Sequence, residues 1–203
     1  MSTPRARLAL DCSFAGLSLA LQDDEKTYHF TTEAARSSDI LPTELQNLLA
    51  QAQLGATEIS HVYATTGPGS FTGIRLGLAV AEALKLVHPQ LVITGLSTLC
   101  SLAAQIVAEH APPQAFTILL DAAGGQVYAQ TFSPAGEPLT EALCTSESPT
   151  AGVVFAQASL MHPTATPIAT LDARAILRLA ENLAAHLPPQ PVYIKPLTYK
   201  KAV

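Results

Sequence analysis

The amino-acid sequence predicts an α/β fold of two lobes, with mixed sheets and helices on their faces. Three observations carry this reading. The first half alternates short apolar runs with amphipathic stretches in the order βββαβαβα, a pattern that buries helices against a sheet. Ala111-Pro112-Pro113 then interrupts the chain and sets a boundary between an N-terminal lobe over 1–111 and a smaller C-terminal lobe over 112–203. The second lobe opens, as the first does, on an apolar strand that ends in aspartate. A chain of 203 residues is long enough for a proper core in this arrangement.

In order, residues 6–10 form a strand that runs into Asp11-Cys12-Ser13. Runs at 16–21 and 27–31, parted by Asp23-Asp24-Glu25, complete an antiparallel meander. Between 37 and 54, Leu41, Leu45, Leu48, Leu49 and Ala52 fall at i, i+4, i+7, i+8 and i+11. That spacing is an amphipathic helix, with Ser38 as its cap, Pro42 tolerated in the first turn and Gly55 as its stop. A strand over 60–65 leads to the turn Gly67-Pro68-Gly69, after which Ser70 caps a helix to about Val87, ahead of Pro89. A strand at 91–95 and a helix from Ser97 to about Glu109 close the lobe. The second lobe starts with a hairpin, strands 116–120 and 127–132 around the turn at 121–125. Strands are expected at 139–144 and 153–155 and a loop at 160–167; Asp172 caps a terminal helix to about His186, and the proline-rich tail is extended.

The helix over 71–87 carries the most information. Gly73, Gly77 and Ala81 recur every fourth residue and form a stripe without bulk. Each interior glycine costs about 0.8–1 kcal/mol relative to alanine, so something must approach that face closely. Phe71, Ile74, Leu76, Leu78, Val80, Leu84 and Val87 cover most of the remaining circumference, interrupted by Arg75, Glu82 and Lys85. A helix apolar nearly all round is buried on more than one side. One side then packs on the protein's own sheet, and the small-residue side, or the one beside it, packs on another helix. On that reading Gly77→Leu abolishes association and leaves the chain folded.

Composition narrows the function. Charged residues make up 13% of the chain, against a usual level of about 25%, which leaves room for an apolar association face. A net charge of −5 argues against autonomous nucleic-acid binding. Cys12, Cys100 and Cys144 are widely spaced and form no CxxC pair, as buried thiols of a reducing compartment would be. No run is long enough to span a membrane and no signal-peptide cleavage pattern follows residues 8–21, so a cytoplasmic location is expected.

Motifs for chemistry fail on spacing. A Walker loop needs Gly-Lys five places after its first glycine, and Thr72 and Ile74 stand there; the dinucleotide pattern fails because Gly73 comes one place late. The histidines form no HxxxH or HExxH pair, so no metal site is expected. Ser70, in Gly69-Ser-Phe-Thr-Gly73, misses the nucleophile elbow by one residue and reads as a helix cap. Asp11 and Asp121 either face one cleft as paired carboxylates or serve as turn formers, the commoner role.

Gly67-Pro-Gly-Ser-Phe-Thr-Gly73-Ile-Arg75-Leu-Gly77 resembles the signature of the bacterial TsaB (YeaZ) family, the partner subunit in threonylcarbamoyladenosine synthesis on tRNA. Asp11-Cys12-Ser13 is similar to the family's opening Asp-Thr-Ser, with Cys for Thr. Residues 36–42 are similar to its His-Ser-Glu-x-Leu-Leu-Pro helix start, with His and Glu lost. Asp121-Ala122-Ala123 through Val127-Tyr128 is similar to its Asp-Ala-Arg and Val-Tyr strand pair, and Tyr193-Ile194-Lys195-Pro196 to its closing Tyr-Leu-Arg-x-Pro. The resemblance implies the actin, sugar-kinase and Hsp70 fold in a member without catalysis or cofactor. Asp11, Ser13 and Asp121 would be left as a degenerate active-site cleft. It also implies pairing with TsaD, a homologous metal- and nucleotide-using subunit, through the first two helices, here 38–53 and 70–87. Leu41, Leu45, Leu48, Gly73, Ile74, Arg75, Gly77, Leu78 and Ala81 are the expected contacts. A TsaE-type ATPase would join that complex, tRNA would be reached only through it, and a homodimer is expected when TsaD is absent. The wider fold leaves a small-molecule kinase or a peptidase-like enzyme as the alternative. Against a kinase, only Gly136 and Gly152 follow Gly125, too few for a glycine-rich adenosine loop.

Overall fold

Alternation along β1 (Ala6–Asp11) and β2 (Leu17–Gln22) puts Leu8, Leu10, Leu17, Leu19 and Leu21 on one face and Ala9 and Ala20 on the other. The computed structural model describes residues 6–33, 36–147 and 152–195. β3 (Thr27–Thr32), β4 (Ile59–Thr65) and β5 (Val92–Leu96) complete a five-stranded sheet in the order β3-β2-β1-β4-β5. Its meander is antiparallel, and β4 and β5 add in parallel. α1 (Ser37–Ala52) and α2 (Phe71–Val87) are the crossovers and cover the leucine face. The alanine face meets α4 (Ala173–Leu179), which approaches closely because those positions carry only a methyl group.

The second sheet repeats the first. β6 (Phe116–Asp121), β7 (Val127–Phe132), β8 (Leu143–Thr145), β9 (Val153–Gln157) and β10 (Thr166–Ile168) lie in the order β8-β7-β6-β9-β10, with the same parallel and antiparallel pairings. This duplicated pair of mixed sheets with flanking helices is the actin, sugar-kinase and Hsp70 type of fold. α3 (Thr98–His110) joins the two halves, and Phe116, Phe132 and Phe155 pack with α3 and α4 into one core. The repeats differ in their crossovers. Segments 146–152 and 158–165 are too short for the roughly dozen residues that a helical crossover needs, and among the described residues they hold only the 3-10 turn Ala158–Leu160.

Several boundaries differ from expectation. α1 begins at Ser37 with Arg36 as its uncapped N-terminus, since Ser37 Oγ donates to Gly16 O and Ser38 Oγ to Asp39. It stops at Gln53, which takes the left-handed conformation two residues before Gly55. The terminal helix ends at Leu179 because Asn182 accepts the Ala184 amide and restarts the chain as a 3-10 turn, Leu183–Ala185. β8 is shorter and later than expected, and the expected loop at 160–167 gives up its end to β10. Pro196 and the rest of the tail lie outside the described residues.

Candidate functional site

β1 and β6 end side by side at a cleft of about 300 Å³. Ser13, Phe14, Gly69, Ser70 and Phe71 line it from the first half, and Asp121, Ala122, Ala123, Tyr128 and Gln157 from the second. Ser13 and Asp121 therefore reach the predicted cleft, and Asp11 does not. Asp11 is 1% exposed, and its Oδ1 accepts the Ser13 amide (2.9 Å), the Ser13 hydroxyl and the Thr65 hydroxyl (2.6 Å). Ser13 Oγ continues to Thr98 Oγ1 at 2.8 Å, so one carboxylate fastens the ends of β1 and β4 to the start of α3. Of the two readings left open for these aspartates, paired carboxylates facing one cleft does not fit, because donors close around Asp11 and turn it inward. Asp121 is exposed and its Oδ1 accepts the Ala123 amide at 2.7 Å, the turn-forming role.

Burial holds the Asp11 carboxyl above its ordinary range, against the pull of the Ser13, Thr65 and Phe14 hydrogen bonds. A folded-state pKa above the unfolded one means a contribution to stability that is full below the unfolded value and is lost as pH rises through the folded value. Asp11→Asn keeps the Oδ1 acceptor and cannot ionise. Its stability relative to wild type is therefore expected to improve between pH 4 and pH 7, read by urea unfolding at both. Asp11→Leu orphans buried donors at about 1–3 kcal/mol each and is expected to lose stability at every pH. An Asp11→Asn deficit that grew with pH would contradict this account.

Two other candidate groups sit in structural positions. Burial, reinforced by Asp11, pushes the Cys12 thiol up to about 12. Ser70 Oγ accepts the Gly73 amide, as a helix cap should. Among the described residues no three His, Cys, Asp or Glu side chains gather around a common point.

The small-residue stripe of α2 faces inward. A Cβ on Gly73 would lie 1.7 Å from Cys12 O, and one on Gly77 would lie 2.7 Å from Leu10 Cδ1. β1 is thus the close neighbour that these glycines serve. Ile74, Leu78 and Ala81 on α2, and Leu41, Leu45 and Leu48 on α1, are buried in the same core. The expected contact set is corrected accordingly: of its nine residues only Arg75 is exposed. The open side lies nearly opposite the stripe. Leu76, Ala79, Ala83 and Leu86 run along it at spacings of three, four and three, the seam pattern of a helix that packs on another helix. Leu76 is half-buried, Ala79 and Ala83 are exposed, and Leu86 is 86% exposed. Sequence reasoning missed this seam, although its alternating spacing is legible there, because larger neighbours interleave with it. At the head of α2, Arg75 lies over the Phe71 ring (5.3 Å), which stacks on Tyr193 (5.3 Å).

The family model described as TsaD, tRNA N6-adenosine threonylcarbamoyltransferase, matches residues 31–171. The chain is similar to the tRNA threonylcarbamoyladenosine biosynthesis protein TsaB of Escherichia coli (30% identity, 60% of this chain and 52% of that protein). It is also similar to TsaB of Haemophilus influenzae (32% identity, 60% and 51%). It spans about half the length of the curated relatives that it matches. Among solved structures, YeaZ from Pseudomonas aeruginosa superposes with a TM-score of 0.76 at 21% identity, over 93% of this chain and 99% of that one, which establishes the shared fold. No helix among the described residues is long and apolar enough to cross a membrane. With well over half of its residues under that family model and TsaB proteins as its relatives, the chain belongs to the TsaB (YeaZ) branch of the threonylcarbamoyltransferase family.

Proposed function

We propose that this chain is a subunit without chemistry of its own that docks on a TsaD-type threonylcarbamoyltransferase and supports formation of threonylcarbamoyladenosine on tRNA. The exposed seam Leu76, Ala79, Ala83 and Leu86 on α2 carries the reading, because a stripe at that spacing is poorly suited to water and well suited to a second helix. α1 lies on the same face of the first sheet and completes the docking pair. The second sheet has no helix in the corresponding crossovers among its described residues, so it supplies no equivalent surface. The cleft supports the accessory role, since the Asp11 carboxylate is engaged internally and Asp121 forms a turn. In this scheme the lobes divide near residue 111, and a TsaE-type ATPase joins the heterodimer in the cytoplasm. tRNA is reached through the complex, and the same face pairs two copies of this chain when TsaD is absent. Reconstitution tests it: the TsaD-type subunit of the same organism, with the remaining factors, is expected to modify tRNA only when this chain is added and to co-elute with it. Equal modification without the chain would overturn the proposal.

A further inference from the structure

The geometry points to residues 187–195 as a strap that bolts the β6–β7 turn to the first sheet and holds the cleft between the two halves at one width. The strap starts where Leu187 exchanges both backbone hydrogen bonds with Gly95 on β5, at 2.9 Å each. Pro188, Pro189 and Pro191 have no amide hydrogen, so the segment cannot run on as a strand and leaves the sheet edge. It then crosses the β4–α2 loop, where the Val192 amide donates to Thr66 O (2.8 Å) and Tyr193 stacks on Phe71. It ends on the second half: Lys195 Nζ donates to Ala122 O (2.8 Å) and Ala123 O (2.9 Å), two carbonyls of the β6–β7 turn.

Two glycines make room for this path. A Cβ on Gly95 would lie 2.5 Å from Pro188 O, and one on Gly67 would lie 2.9 Å from Val192 O. Phe71, Ala122 and Ala123 are at once anchor points of the strap and walls of the cleft, so the strap borders the cleft and joins its two sides. The consequence is a cleft of fixed width: α2 and the second sheet move as one piece. This inference is independent of which partner the protein binds.

Lys195→Met keeps the aliphatic stem and removes the ammonium, and Gly95→Ala evicts the strap at its other end. Both are tested in the full chain by hydrogen exchange and by electron-spin distance measurement between labels at the exposed positions 46 and 159, with Cys100 and Cys144 replaced by Ser. For either variant, exchange of the amides at 121–127 and 190–195 is expected to rise at least about tenfold. The distance distribution is expected to broaden, while exchange in β1 and β4 stays as in wild type. An unchanged distance distribution in both variants overturns the proposal, whatever the exchange does. Exchange that rises equally across β1 and β4 also overturns it, because the substitution has then loosened the whole fold.

Discussion

Gly73→Ala is expected to lower the melting temperature by roughly 6–12 °C, the shift that about 3 kcal/mol produces in a chain of this size. The opposite sign would hold in a free helix, where Gly→Ala gains about 1 kcal/mol. At Gly73 the new methyl would lie 1.7 Å from Cys12 O, a backbone atom at the end of β1 that cannot rotate away. The first turn of α2 or the end of β1 must move, and both Asp11 and Ser70 are fastened there. Gly77→Ala is the control. Its methyl meets only Leu10 Cδ1, the tip of a flexible side chain, so a change within about 1 kcal/mol of wild type is expected. Gly77→Leu overpacks the protein's own core, and loss of folding rather than a clean loss of association is its expected result. Thermal unfolding of the three variants separates these outcomes.

The second large effect is on association. Ala79→Glu with Ala83→Glu places two carboxylates on the open seam of α2. In the isolated chain both side chains stand in water, and the lower helix propensity of glutamate and the repulsion between the two four residues apart each cost a few tenths of a kcal/mol, so stability should stay within about 1 kcal/mol of wild type. Against a second helix each carboxylate must be desolvated without a partner, and a cost of about 4 kcal/mol for the pair corresponds to roughly a thousandfold in Kd. Calorimetric titration with the TsaD-type subunit checks it. The two experiments separate the roles: the inward stripe is expected to control folding, and the proposed outward seam is expected to control binding.

Much of the architecture was legible because it rests on local rules. The apolar runs of β1 and β2, the Ser70 and Ser97 caps and the hairpin at Asp121 each need only neighbours in sequence, and each stands where the pattern put it. The weaker second half was less legible because β8 and β10 are three-residue strands, set by pairing with distant segments rather than by their own pattern. The direction of the glycine stripe was hidden for a related reason. A small residue signals close approach without naming the neighbour, and at Gly73 the neighbour is a backbone oxygen distant in sequence. Asp11 shows the same limit, since Ser13 is a local partner but nothing near it in sequence indicates that Thr65 will complete the enclosure. The strap was legible only as an extended tail, because its anchors, Gly95, Thr66 and the β6–β7 turn, come from both halves of the fold.

The central claim is that the outward seam of α2 is the docking face, and site-specific photocrosslinking tests it most directly. A photoreactive residue at position 83, in the full chain mixed with the TsaD-type subunit, is predicted to yield a covalent heterodimer on illumination. The same residue at the exposed Gln114, outside the helix pair, is predicted to yield none. Crosslinking from position 114 without crosslinking from position 83 would place the partner elsewhere and contradict the account.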